Sequence, residues 1–233
     1  TEGFRDILEV REGFKEDRYN LRVDPLEPLV PRYLRLTVPE RVRADGRVER
    51  DLDLSEVERA LDMFESEEVE ALAVCFLFSF RNPEHERAAA ELIRGRFPDA
   101  FLSVSSDVLP QIKEFDRVST TAVNSYVGPM YSDYLGRLGK RLTELQRNTK
   151  GPAATMLIMQ SNGGVMPLEE SRRFPVRAIL SGPAGGVSGA AHYGSLVDEH
   201  RVIGLDMGGT STDISIVVDG SPHTTGETFE AGW

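Results

Sequence analysis

At 233 residues the chain can form one large domain or two small ones. Its 27 Lys and Arg against 38 Asp and Glu give a formal net charge of −11, which argues against a non-specific nucleic-acid binder or an acidic-membrane binder, since both need a basic surface. Hydrophobic residues make up 40% and charged residues 28%, an ordinary globular mixture, and the longest apolar run, Ala71 to Phe78, is too short to cross a bilayer as a helix.

Residues 1–32 read as loop-rich, punctuated by Pro25, Pro28 and Pro31, none of which has an amide hydrogen to give a ladder. Tyr33 to Val38 alternates in the manner of a strand. Asp45-Gly46 then offers a turn into a second short strand over Arg47 to Arg50. A helix is expected at about 55–65, with Ser55 and Glu58 as a capping box and Val57, Leu61 and Phe64 on one face. The apolar stretch 69–78 suits a central strand of a parallel sheet buried on both faces. Cys75, the single cysteine, lies within it and reads as a small buried hydrophobe; one cysteine excludes an internal disulfide framework and a Cys-rich zinc site.

Asn82-Pro83 opens another helix, with Asn82 at the N-cap, a stripe of Ala89, Leu92, Ile93 and Phe97, and Pro98 as its stop. Phe101 to Val104 is a strand. Residues 55–104 thus read as α-β-α-β, the signature of an α/β layer architecture. The longest periodic segment, about 117–147, carries Val118, Ala122, Tyr126, Met130, Tyr134, Leu138, Leu142 and Leu145 on one stripe, and Pro129 predicts a kink. Further strands are expected at Thr155 to Met159 and Arg177 to Leu180, then a small-residue helix at about 183–197. Strands at Arg201 to Leu205, Ser211 to Val218 and about 222–226 complete the order.

The sharpest chemical signal is Val202 to Val218. A hydrophobic strand delivers Asp206 at its end; Gly208 and Gly209 follow, then Thr210, Ser211 and Thr212, then Asp213 at the start of a second strand. Glycines let a phosphate approach the backbone, amides and hydroxyls donate to its oxygens, and a carboxylate suits Mg²⁺. No Gly-Lys-Ser/Thr follows, so this is not a Walker A loop, and a strand rather than a helix follows the turn, so it is not a dinucleotide fingerprint. The alternative is an ordinary hairpin with a Gly-Gly turn.

A second signal is Ser181 to Ala191. Ser181 is expected to cap a helix whose free amides and dipole make an anion site, with Gly182 beside it; equally, Gly182, Gly186 and Gly189 would let another element pack closely. A third is the polar start of the long helix, where Glu114, Arg117, Thr120 and Asn124 share a face. It reads either as the wall of a cleft or as a capped, salt-bridged helix start. The four histidines are scattered, each reading as a surface or helix-end residue. Gly186-Val187-Ser188-Gly189-Ala190 falls one residue short of a nucleophile elbow, which disfavours a serine hydrolase.

Taken in order, Gly3-Phe4-Arg5-Asp6-Ile7-Leu8-Glu9, Pro28-Leu29-Val30-Pro31-Arg32, Arg81-Asn82-Pro83-Glu84-His85-Glu86, Gln160-Ser161-Asn162-Gly163-Gly164, Ser181 to Val187 and Asp206 to Asp213 resemble the hydantoinase A/oxoprolinase family. That family includes ATP-dependent N-methylhydantoinases, 5-oxoprolinases and subunits of acetone and acetophenone carboxylases. The resemblance implies an α/β fold of the actin/Hsp70/sugar-kinase superfamily, with two ribonuclease-H-like lobes and ATP in the cleft. Residues 1–200 are then expected to be the remainder of the N-terminal region and first lobe. Residues 201–233 would open the hydantoinase A domain and second lobe with its phosphate hairpin. The first-lobe loop, an Asp-x-Gly-Gly-Thr-like motif, is expected upstream. The start at Thr1 without Met and the end at Gly232-Trp233 read as a cytoplasmic chain cut at both ends, inactive on its own.

The implied chemistry is ATP-dependent hydrolysis of a cyclic amide, a hydantoin or 5-oxoproline, through phosphorylation of the carbonyl oxygen. Asp206 would act in catalysis and hold Mg²⁺. Gly208, Gly209, Thr210, Ser211, Thr212 and Asp213 would bind nucleotide, with Ser181 and Gly182 near the cleft. Glu114, Arg117 and Asn124 are candidates for the substrate side by polarity alone. A ketone carboxylase subunit and a non-catalytic assembly subunit are the alternatives. A companion hydantoinase B-type subunit is the expected partner, and neither nucleic acid nor membrane is.

Overall fold

The computed structural model describes residues 1–11, 22, 27–147, 155–209 and 211–222. They fall into two compact units, Thr1–Met130 and the described part of Tyr131–Glu230.

In the first unit a short helix, α1 (Ile7–Val10), is followed by a 3-10 turn at Arg32–Leu34, where the alternation had predicted a strand over 33–38. Strand β1 is instead Arg41–Val42, and it pairs antiparallel with β2 (Val48–Arg50). Pro31 and Pro39 bracket the stretch that fails to join a ladder, and neither can donate to one. The predicted Asp45-Gly46 turn forms: the Gly46 amide donates to the Arg43 carbonyl at 2.8 Å, and Gly46 takes a φ of +88° that favours glycine.

Helix α2 (Leu54–Ser66) starts one residue earlier than expected. Its cap is Asp53, whose carboxylate accepts from the Ser55 amide at 3.0 Å, so Ser55 is capped rather than capping. Strand β3 (Ala71–Val74) is shorter than the apolar run, and Phe78 then takes a φ of +55°. Leu72 and Val74 are buried while Ala73 is exposed, so the strand is not covered on both faces as its composition suggested. Helix α3 (Glu84–Arg96) follows. Asn82 still accepts from the Glu84 amide at 3.1 Å, although Pro83 rather than Asn82 occupies the capping position. Strand β4 (Phe101–Val104) lies parallel to β3, Ala71 opposite Phe101 through Val74 opposite Val104. A β-α-β crossover through α3 therefore builds this layer, as the α-β-α-β order required. Its core is Val38, Val57, Leu61, Leu72, Val74, Phe76, Ala89 and Ile93, each of the larger side chains contributing roughly 1.5–3 kcal/mol by burial.

A single turn, α4 (Ser105–Val108), leads to the long helix α5 (Glu114–Arg147), with Pro129 inside it. The apolar stripe is covered only in part: Ala122 is buried, but Tyr126, Met130 and Tyr134 are 70%, 83% and 53% exposed. Arg117, Thr121, Asn124 and Ser125 are buried beside Ala122. Ser125 donates to the Leu72 carbonyl at 2.9 Å, and Asn124 to the Ser103 hydroxyl at 2.9 Å. The helix is thus bonded to both strands of the sheet.

In the second unit β5 (Leu157–Met159) and β6 (Val165–Pro167) form a hairpin around the predicted Asn162-Gly163-Gly164 turn. Helix α6 (Leu168–Arg173) and a 3-10 turn at Pro175–Ala178 follow, the latter where a strand over 177–180 was expected. Proline at its first position fixes φ for a helical turn and withholds a ladder donor. Helix α7 (Ser181–Leu196) then packs on the antiparallel sheet β7 (Val202–Met207), β8 (Thr212–Val218) and β9 (Ser221–Pro222). Strand β5 begins at Leu157 rather than at the expected Thr155, and the part of the expected strand at about 222–226 that follows Pro222 lies outside the described residues.

Candidate functional site

The register of β7 and β8 places Asp206 opposite Asp213, Leu205 opposite Ile214 and Met207 opposite Thr212. Both aspartates, Gly208, Gly209, Ser211 and Thr212 are exposed; Thr210 lies outside the described residues. The Gly208 amide donates to the Ser211 carbonyl at 3.0 Å, so it serves the turn rather than standing free for an anion. Neither Gly208 nor Gly209 has the left-handed φ that makes glycine obligatory in many turns. A Cβ on Gly209 would meet nothing within 4 Å, and one on Gly208 would meet only the Ser211 carbonyl at 3.6 Å. What the pair provides is open backbone beside Asp206.

The sheet face that carries Asp206 is covered by α7, and three small residues set the fit. A Cβ at Gly186 would lie 3.5 Å from Oδ2 of Asp206. A Cβ on Gly204 would lie 3.2 Å from that of Ala190, and one on Gly194 would lie 2.6 Å from Cγ2 of Val202. Four helical residues rise about 6 Å and two strand residues about 6.7 Å. Gly186, Ala190 and Gly194 therefore step in register with Asp206, Gly204 and Val202. Of the three glycines that the sequence offered for close approach, only Gly186 is approached; Gly182 and Gly189 have nothing within 4 Å. Gly194 was not singled out, and its signal was the four-residue repeat of small side chains opposite an alternating strand.

Ser181 is the first residue of α7, not its cap. The capping position is Leu180, and no side chain caps it. Ser161 holds this entry in place: its hydroxyl accepts from the Leu180 amide at 3.0 Å and donates to the Arg177 carbonyl at 3.0 Å. Ser181 and Gly182 thus sit in the first turn of the helix whose sixth residue borders Asp206, where the helix dipole favours negative charge. Ser188 is not a nucleophile in waiting; its hydroxyl donates to the Ala184 carbonyl at 2.9 Å within the helix.

The polar start of α5 is built differently. Arg117 is buried, donating to the carbonyls of Gln111 at 2.9 Å and Phe76 at 3.0 Å, with its guanidinium over the Phe80 ring. Asn124 is spent on Ser103. Glu114 and Arg117 do line a cavity of about 370 Å³, but its walls are largely apolar, including Leu36, Leu61 and Val74. Near the ends of β3 and β4 the buried carboxylate of Glu86 accepts from the Phe76 amide at 2.7 Å, the Ser105 hydroxyl at 2.6 Å and the Ser106 amide at 2.9 Å. His85, expected as a surface or helix-end residue, lies in the first turn of α3 and is buried, with Nδ1 2.8 Å from Glu40. These groups bond to one another and to the backbone.

Among the described residues no three His, Cys, Asp or Glu side chains converge on a metal position. A divalent ion at Asp206 would therefore complete its shell with phosphate oxygens and water, which is the habit of Mg²⁺. The exposed Asp206 carboxylate and the open Gly209 backbone fit a hydrated cation carrying a phosphate. No helix among the described residues is long and apolar enough to cross a membrane.

The hydantoinase/oxoprolinase family profile matches residues 117–232, and that of the hydantoinase/oxoprolinase N-terminal region matches residues 1–97. The caprolactamase alpha subunit of Pseudomonas jessenii is 38% identical over 218 residues, covering 93% of this chain and 31% of that protein. The crystal structure of that ATP-dependent caprolactamase superposes with a TM-score of 0.79 over 93% of this chain and 31% of its own. A nucleotide-free structure from a study of ATP-dependent acetone carboxylation superposes with a TM-score of 0.78 at 28% identity, over 95% of this chain and 32% of its own. The 5-oxoprolinase of Saccharomyces cerevisiae is 28% identical over 262 residues, covering all of this chain and 19% of that protein. The chain spans about a third or less of the length of these relatives.

Proposed function

The chain belongs to the hydantoinase/oxoprolinase family, and we propose that it carries part of the nucleotide site of an ATP-dependent enzyme that opens a cyclic amide. The observation that carries this reading is the hairpin itself. An exposed carboxylate stands at the end of β7, followed by two glycines that the turn geometry does not require and that leave the backbone open.

In this reading Asp206 holds Mg²⁺ directly or through water. Gly208 and Gly209 let the phosphates approach, and Thr210, Ser211 and Thr212 donate to phosphate oxygens. Asp213 lies across the strand, and the first turn of α7, Ser181 and Gly182, presents its amides and dipole. Bound there, Mg·ATP supplies the phosphoryl group that turns a poorly electrophilic lactam carbonyl into one that water can attack. The residues of this chain supply position and charge stabilisation, which is most of what phosphoryl transfer asks of a protein. Residues 1–200 would complete the first of two actin-like lobes and 201–233 would open the second. The subunit naming of the caprolactamase relative supports a companion subunit, of hydantoinase B type.

The 38% identity to caprolactamase, against 28% for both the 5-oxoprolinase and the acetone carboxylation structure, supports a caprolactamase-like lactam as the first substrate to test. The test is phosphate release from Mg·ATP by the whole protein with caprolactam, 5-oxoproline, a hydantoin, or a ketone with bicarbonate. Release stimulated by a cyclic amide, with a ring-opened product, is the expected result. Stimulation only by the ketone with bicarbonate would replace it with the carboxylase reading, and absence of Mg·ATP binding would leave an assembly subunit.

A further inference from the structure

We infer that Gly186 is a positioning residue for this nucleotide site, keeping the α7 side of the Asp206 carboxylate open to a hydrated divalent cation. The inference rests on the reading of Asp206 given above. The glycines of α7 differ in what their missing side chains allow. At Gly194 a Cβ would lie 2.7 Å from the Glu199 carbonyl oxygen, so packing explains that glycine. At Gly182 and Gly189 a Cβ would meet nothing within 4 Å. At Gly186 it would sit 3.5 Å from Asp206 Oδ2 and 3.9 Å from its Cβ, ordinary contact that neither packing nor φ forbids.

Glycine is a poor helix former beside alanine, so Gly186, like Gly182 and Gly189, forgoes helix stability without a steric reason, but of the three it alone borders Asp206. What it leaves is space on one oxygen of the carboxylate. Gly186 and Asp206 are both exposed, so solvent reaches that space. Mg²⁺ keeps several waters when bound through one or two carboxylates. A methyl group 3.5 Å from Oδ2 would take up part of that space at ordinary contact distance.

Isothermal titration of the whole protein with Mg·ATP tests this, using the native sequence, Gly186→Ala, Gly189→Ala, and Gly186→Ala combined with Asp206→Asn, alongside thermal melts of each. Gly186→Ala is expected to weaken Mg·ATP binding about tenfold, the scale of outer-shell changes at metal sites, with its melting temperature held or raised. Gly189→Ala should share the gain in helix stability and keep native affinity. In the Asp206→Asn background, Gly186→Ala should weaken binding no further. Native affinity in Gly186→Ala overturns the inference, as does equal weakening by both alanines or full additivity with Asp206→Asn. Failure of Gly186→Ala to fold also overturns it, because the methyl must fit. If the native protein does not bind Mg·ATP, it is the reading of the nucleotide site that fails, and the titration of the native sequence alone reveals it.

Discussion

Asp206 and Asp213 face each other as direct partners across the β7–β8 hairpin. Like charges opposite one another on neighbouring strands destabilise the pairing, so the hairpin carries this pair at some cost to its own stability. Asp206→Asn should therefore leave the melting temperature unchanged or raise it, while abolishing ATP-dependent turnover in the whole protein. Thermal melts and phosphate-release assays on the same preparation check both halves. An unchanged kcat would remove Asp206 from the reaction, and a large loss of stability would make it a structural residue.

The hairpin that carries the candidate site was legible in the sequence because its residues are local. A strand ending in Asp206, the glycine pair, the hydroxyls and Asp213 are contiguous, and the hairpin they form needs no distant partner. Pairings that depend on the rest of the chain were not legible. Arg47–Arg50 pairs with Arg41–Val42 on the near side of the Asp45-Gly46 turn, while 33–38, read as a strand, joins no ladder. In α5 the periodicity announced a helix but not which face is covered. Much of the buried face is polar and bonded: Arg117, Asn124 and Ser125 reach Phe76, Ser103 and Leu72. Hydrogen bonds of that kind leave no hydrophobic period to read.

The fit of α7 on β7 yields a second prediction. Gly194 is buried, and any Cβ there would collide with the Glu199 carbonyl at 2.7 Å and with the Val202 side chain. Gly194→Ala should destabilise the protein by about 1–3 kcal/mol, the usual cost of overpacking. Denaturant unfolding of the variant measures it. Adding Val202→Ala should recover only part of the loss, since the backbone collision with Glu199 remains; complete recovery would place the strain in the side chain alone.

Glu86 is buried and supplies the acceptor for two backbone amides and one hydroxyl, from Phe76, Ser106 and Ser105. Removing the carboxylate strands those donors, each at about 1–3 kcal/mol. Glu86→Ala should cost about 3–5 kcal/mol in urea unfolding. Glu86→Gln should cost less, because its amide oxygen still accepts. Equal losses in the two variants would mean that charge, rather than the number of acceptors, sets the contribution.

Cys75 makes a pH-dependent prediction. The residue as a whole is only half-buried, but its thiol is desolvated, and burial, with the Glu86 carboxylate nearby, pushes its pKa up to about 12 against relief from Thr121 and Arg117. In the unfolded chain the same thiol ionises near its ordinary value of 9.0. Below that pH both states hold the proton and the group does not affect the balance. Above it the unfolded state loses the proton while the folded state keeps it, so stability falls as pH rises towards 12. One such group gives a slope of about 1.4 kcal/mol per pH unit. Urea unfolding of the native protein at intervals from pH 8 upward should show this decline, and Cys75→Ala should show a shallower one. Native Cys75 should also resist alkylation near pH 8 and react once the chain is unfolded, because the thiolate is the reactive form. Rapid alkylation of the folded protein at that pH would show that the thiol is solvated.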